Sequence, residues 1–315
     1  MMSIIRFKTV LYLTLIFALS DLSAQQIPDT SYSFPINKTA YQKGRGSIIY
    51  IDEAHNNFHT KSGGFFAFGK LMEQDGYRVH DLKEEISSPK VLDLCKVLVI
   101  ANALNEVNSR EWILPTPSAF TDNEIAIIKN WVMGGGSLLL IADHMPFAGA
   151  AYDLGKAFGF EFINGFAYTS QQSWPPSIFT FSNGTLLKSR VTEGLTNYER
   201  IDSIATFTGS ALKAPYGSTE VFSFLAENNS LQPDTAWVFR TNTPKQSLEG
   251  FCQGAIMGYG KGRIAVFGEA AMFTAQVVNG TFKVGFNSES APHNAQFVLN
   301  LIHWLDGITQ YYETD

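Results

Sequence analysis

Short runs made almost entirely of apolar residues recur along the chain, each bounded by polar or glycine-rich sequence. Ser47–Ile51, Lys96–Ala101, Ser137–Ala142 and Arg263–Gly268 are of this kind, and Tyr77–Leu82 is a more mixed one. A strand that is apolar on both sides of its pleat has to be covered on both faces, which is the mark of a parallel sheet rather than a one-sided antiparallel one. Segments with helical spacing lie between the runs. Phe65, Phe68, Leu71 and Met72 form one stripe, closed by Gly76; Ile125, Ile128, Trp131 and Val132 form another. The second helix opens on Thr121-Asp122-Asn123-Glu124, the form of a capping box, and ends on Gly134-Gly135-Gly136. Ala148–Phe158 reads as a further helix and residues 291–305 as the last one, with Ser290 as its cap. Strands alternating with helices predict an α/β domain over residues 46–308, a parallel sheet sandwiched by helices.

Residues 165–262 have a different texture. Pro175-Pro176, Asn183-Gly184 and Pro215-Tyr216-Gly217 punctuate short alternating segments, so a β-rich insertion or extension packed on the sheet is expected there. Residues 25–45 read as an N-terminal arm and 309–315 as a tail. Residues 1–24 read as a signal peptide: Arg6 and Lys8 precede the apolar run Val10–Leu19, and Leu22-Ser23-Ala24 supplies small residues for cleavage. That run is too short for a comfortable membrane span. The expectation is an exported protein, periplasmic or extracellular, with no stable membrane span after cleavage. Two cysteines, Cys95 and Cys252, exclude a disulfide scaffold or a cysteine-rich zinc site and read as free buried thiols. A net charge of −6 offers no basic surplus for phosphate backbones, which argues against nucleic acid as a partner.

In open α/β sheets, ligands bind beyond the carboxyl ends of the strands. The residues following each apolar run are therefore the candidate site. They are Asp52, Glu53, His55, Asn56, Asn57 and His59; then Asn102, Asn105 and Glu106; then Asp143 and His144; then Glu269. His293 and Asn294 open the last helix and could share that edge. Four of the six histidines fall in this set, while His80 and His303 read as structural. Asp52, Glu53, Asp143, His144 and Glu269 are candidates for acid–base catalysis. Asn56, Asn57, Asn102, His293 and Asn294 are candidates for binding substrate. His55 and His59 could ligate a divalent metal together with Asp143, His144 or Glu269, zinc being the ion best suited to such a mixed nitrogen–oxygen set. The plain alternative is that the carboxylates cap backbone N–H groups and the histidines fill loops. Phe166, Tyr168 and Trp174 could form an aromatic wall against a sugar ring.

The segments Ile51–His59, Trp131–His144, Gly258–Arg263 leading into Gly268-Glu269, and Asn300–Gly307 together resemble the class I glutamine amidotransferase-like superfamily, in its secreted branches and trehalose-utilisation-protein-like members. The resemblance spans about residues 46–308 and implies a flavodoxin-like sheet. It does not carry over an amidotransferase mechanism, because no expected strand-to-helix elbow holds a cysteine. Three functions stand open. One is an exported hydrolase- or lyase-type enzyme acting on a small or carbohydrate-like substrate. Another is a non-catalytic module that binds a glycan or peptide. The third is a structural protein of the cell envelope.

Overall fold

The computed structural model describes residues 26–168 and 176–308. The expected signal peptide, Trp174 and the tail lie outside the described residues. A nine-stranded sheet organises the molecule: β1 (Ile48–Asp52), β2 (Arg78–Leu82), β3 (Val97–Ala101), β4 (Ser137–Ile141), β5 (Glu161–Ile163), β6 (Ala211–Lys213), β7 (Thr219–Ser223), β8 (Cys252–Tyr259) and β9 (Gly262–Phe267). Its order is β2-β1-β3-β4-β9-β8-β6-β5, with β7 paired to β8. Neighbours from β2 to β9 are parallel. Beyond β9 every pairing is antiparallel.

Six α-helices accompany these strands among the described residues: α1 (Phe66–Gln74), α2 (Asp122–Gly134), α3 (Phe147–Ala150), α4 (Tyr152–Ala157), α5 (Arg190–Glu193) and α6 (Asn294–Asp306). The alternating side chains of β3 and β4 divide between two cores. Val97, Val99, Leu139 and Ile141 share one with Phe68 and Leu71 of α1 and Phe297 and Leu301 of α6. Leu98, Ile100, Leu138 and Leu140 share the other with Ile128 and Val132 of α2 and Leu154 of α4. Burial on both faces is why the interiors of those two strands carry no polar residue.

The expected flavodoxin-like parallel sheet sandwiched by helices is not the architecture. The main sheet is mixed, with four strands beyond its parallel part, and three smaller antiparallel sheets flank it. Strands dominate the described residues, and three of the six helices have six residues or fewer. The reason lies in the chain after β4. From β5 to β9 no long helix intervenes among the described residues, and the chain re-enters the sheet through short antiparallel pairings. A parallel pair needs a crossover connection. Helix limits differ from expectation as well. The segment expected as one helix from Ala148 divides into α3 and α4 around Ala151. Helix α6 starts at Asn294 with His293 at its N-cap, so Ser290 does not cap it. The capping box of α2 is formed as expected from Thr121 and Glu124.

The expected N-terminal arm is laced to the body rather than extending from it. Gln26–Pro28 pairs with Ala275–Val278, and Tyr41 Oη donates to Asp306 at 2.5 Å. Cys95 and Cys252 are free and buried, and burial pushes the Cys95 thiol up to about 12. No helix among the described residues is long and apolar enough to cross a membrane.

The entry to β9 is a close backbone approach. A Cβ at Gly262 would run into the carbonyl oxygens of Gly136 and Val132, whereas one at Gly258, in the same hairpin, would meet nothing within 4 Å. Gly262→Ala is therefore expected to cost about 1–3 kcal/mol through overpacking. Gly258→Ala should be neutral or stabilise by roughly 0.5–1 kcal/mol. Urea unfolding midpoints of the two variants check the contrast.

Candidate active site at the strand ends

The parallel strands end level with one another, because β1, β3, β4 and β9 are paired in register: Ile51 with Val99, Ala101 with Ile141, and Ile141 with Phe267. Asp52 at the end of β1, and Asn102, Asp143 and Glu269 beyond the ends of the other three strands, are consequently delivered to one lip, and all four are buried. Backbone bonds stitch the lip. Phe58 N–H donates to Asn102 O, Leu104 N–H to His55 O, and Ala142 N–H to Phe267 O. Asn102 sits in the left-handed region at φ 51°, and its Oδ1 accepts from Asp143 N–H at 2.9 Å. It acts as a strut between two loops rather than as an open ligand group.

Two groups of side chains form there. In the first, His55 lies between two carboxylates. Its Nδ1 is 2.9 Å from Asp52 Oδ2, and its Nε2 is 3.0 Å from Glu124 Oε1. Asn57 donates to Asp52 Oδ2 at 3.0 Å and accepts from His55 N–H at 3.0 Å. Burial would lower the His55 pKa, but the hydrogen bonds and charges of Asp52 and Glu124 outweigh it and raise the value to about 9. His55 is thus a buried imidazolium. Both ring nitrogens are occupied, so it has no lone pair for a metal, and the expected role as a ligand does not fit it. Among the described residues no three His, Cys, Asp or Glu side chains are grouped to hold a metal ion.

The second group is His59, Asp143, His144 and Glu269. The charge of Asp143 reaches the other three. Asp143 accepts from His144 N–H at 2.7 Å and from Ala270 N–H at 3.3 Å. Glu269 accepts from the backbone N–H groups of Phe207, Ala271 and Met272. Burial and then the Asp143 charge push its pKa well above the usual carboxylate range, against the pull of those three donors. Its bonds make Glu269 a brace for the turn after β9.

The two imidazoles of this group remain neutral. Burial lowers His59 to about 4, and it lowers His144 too, with Asp143 opposing in both. His144 Nδ1 is 2.7 Å from Met145 O. A carbonyl can only accept, so Nδ1 carries the proton and Nε2 holds the lone pair. The ring is stacked on Phe166 at 4.4 Å between centroids and meets Trp237 edge-on at 4.7 Å. Trp112 lies 5.9 Å away, and Phe58 packs on both Trp112 and His59. Trp237, Phe239 and Phe58 are each more than 40% exposed, so aromatic surface lies in the open beside buried imidazoles. Trp237 stands at φ 65°, a strained position for a bulky residue.

The remaining expected residues are committed elsewhere. Glu53 Oε1 accepts from Lys61 N–H, and Asn56 sits at φ 45° with its amide 3.5 Å from Leu104 O. Asn294 bonds the backbone of Ala205 through both ends of its amide, and His293 Nδ1 is 3.1 Å from Ser203 Oγ. Asn105 caps the short turn after it by accepting from Val107 N–H, and Glu106 lies in that turn. Phe166 is buried and stacked on His144, and Tyr168 is half-buried beside the Lys245 ammonium. Glu124, Trp112 and Trp237 join the lip without having been expected there. Glu124 was visible as the last residue of a capping box, which accounts for its Oε2 bonds to Thr121 but not for Oε1 on His55.

No protein-family model and no curated protein matches the chain. Solved structures do. The "mmIFT52 N-terminal domain" is 15% identical over 82% of this chain and 97% of that one, with a TM-score of 0.55. That likeness is one of fold alone. A protein described as "thua-like" from Bacteroides uniformis ATCC 8492 matches at 13% identity over 87% of this chain and 94% of that one, at a TM-score of 0.46. A cytoplasmic protein of Salmonella typhimurium LT2 matches at 15% identity over 82% and 99%, at a TM-score of 0.48. Neither of these two is near enough to argue from.

His55 and His59 give stability opposite pH dependences. The folded pKa of His55, about 9, exceeds its ordinary 6.5, so its contribution is complete below pH 6.5 and is lost as pH rises through 9. His59, lowered to about 4, contributes above pH 6.5 and loses this as pH falls through 4. His55→Ala, which strands two buried carboxylates, is expected to cost about 3–5 kcal/mol at neutral pH. Unfolding free energies from pH 6 to 10 should fall for the native chain and show a flatter profile for His55→Gln.

Proposed function

We propose that the chain is an exported hydrolase- or lyase-type enzyme acting on a small or carbohydrate-like substrate at the lip of the parallel strands. The observation that carries this reading is His144: a neutral imidazole with its proton tied to Met145 O and its Nε2 lone pair without a hydrogen-bond partner among the described residues. Such a nitrogen is suited to take a proton from water or from a substrate hydroxyl. The adjacent Asp143 would stabilise the imidazolium formed. The neutral His59, within electrostatic reach of Asp143, is a second group able to give or take a proton. Trp237, Phe239 and Trp112 offer apolar faces against which a sugar ring can stack. Glu269, Asp52 and Asn102 are positioning residues in this scheme, since their polar atoms are engaged in the scaffold. A metal is not part of the proposal. Export rests on the charge and apolar pattern of residues 1–24. The trehalose-utilisation-like resemblance adds no residue role, and the buried thiols leave no basis for an amidotransferase nucleophile.

A panel of chromogenic glycosides and esters, run on the folded chain, tests the proposal. For a substrate that is turned over, His144→Gln is expected to lower kcat by about 10²–10⁴-fold while the unfolding midpoint changes little. No turnover across the panel, together with glycan-dependent thermal stabilisation of the native chain, would instead favour the binding module. That second reading draws on the lip carboxylates being held by backbone and imidazole donors.

A further inference from the structure

The opposite end of the sheet carries a cavity. Arg263 stands at the start of β9 and Glu269 follows its end, a separation of about 20 Å at roughly 3.3 Å per residue. It lies next to Arg263, has a volume of about 90 Å³, and is lined by Arg190, Arg263, Asn300, His303, Trp304 and Ile308 among others. Arg263 Nη1 donates to Trp304 O, and its guanidinium lies 5.4 Å from the centre of the Trp304 ring. One of its five donors is thereby used, and the plane is held against an aromatic face. Arg190, the first residue of α5, is exposed, and among the described residues it has no carboxylate partner.

The two guanidiniums are close enough for the charge of Arg190 to depress the Arg263 pKa, after burial and against Asp306. The nearby carboxylates are committed. Asp306 accepts from Tyr41 Oη at 2.5 Å and Ser47 Oγ at 2.8 Å. Glu199 Oε2 accepts from the backbone N–H groups of Leu195 and Thr196. His303 Nε2 is 2.6 Å from Asp75 Oδ2. Two like charges line one hollow, and neither is in an ion pair among the described residues, which favours an anion there. Arginine forks match the oxygen spacing of tetrahedral and planar oxyanions. The hollow, at about 90 Å³, has room for a small polyatomic anion.

We propose that this cavity binds a small free oxyanion of the phosphate type between Arg190 and Arg263, at a site separate from the strand-end lip. Isothermal titration of the full chain with inorganic phosphate, at ionic strength held constant with sodium chloride, tests it. The expected result is saturable one-to-one binding that Arg190→Gln weakens at least tenfold and His144→Gln leaves unchanged. The unfolding midpoint without phosphate should be the same for Arg190→Gln as for the native chain, since that side chain is exposed. No saturable heat from the native chain, or equal affinity in Arg190→Gln, overturns the proposal. So does binding that appears only in the full chain carrying Glu313→Gln and Asp315→Asn, which would assign the hollow to the chain's own acidic C-terminal residues.

Discussion

The imidazolium of His55 between Asp52 and Glu124 is the contact on which the strand-end lip depends. Asp52 belongs to the end of β1, and Glu124 to the first turn of α2. The ring therefore joins a loop to a helix from a separate part of the chain. Glu124 is shared three ways: with Thr121 in the cap, with Ile86 N–H, and with His55. Each of the two buried carboxylates would be costly alone, as would the ring, and together they cancel charge with hydrogen bonds on both nitrogens. The loop that carries Asn57, Phe58 and His59 is held in place from this point.

From that anchor the lip becomes an arrangement of opposites. His55 is kept charged by two carboxylates that touch it. His59 and His144, whose rings are shifted chiefly by burial, are kept neutral. The same residue type thus takes two protonation states within one loop cluster, decided by contact with a carboxylate rather than by burial alone. Asp143 lies within electrostatic reach of both neutral rings, and the exposed aromatic rings lie beside them.

Several features were legible in the residues. The apolar runs marked β1, β3, β4 and β9 because strands buried on both faces admit no polar interior. The polar residues after them marked the lip because chain direction in a parallel sheet fixes which ends meet. The capping box of α2 and its glycine-rich exit were legible because capping is local. The mixed character of the sheet was not. Short alternating segments between residues 165 and 262 fix neither their partners nor their direction, and β6, β7 and β8 take up antiparallel pairings with residues far away in sequence. Trp112 and Trp237 lie in segments without periodicity, beside the bridge between Ile113 and Thr235, and so carried no signal.

Local order in the chain was enough to establish which stretches are buried, where α2 begins, and that acidic and imidazole groups collect beyond the strand ends. These follow from spacing and apolar content, which act between near neighbours. Folding in three dimensions settled what each polar group does. It closed Glu124 onto His55, turned Asn294 onto Ala205, braced Glu269 with three backbone donors, and left one nitrogen of His144 uncommitted among the described residues. Protonation state and hydrogen-bond direction depend on atoms about 3 Å away, and those atoms come from residues distant in the sequence.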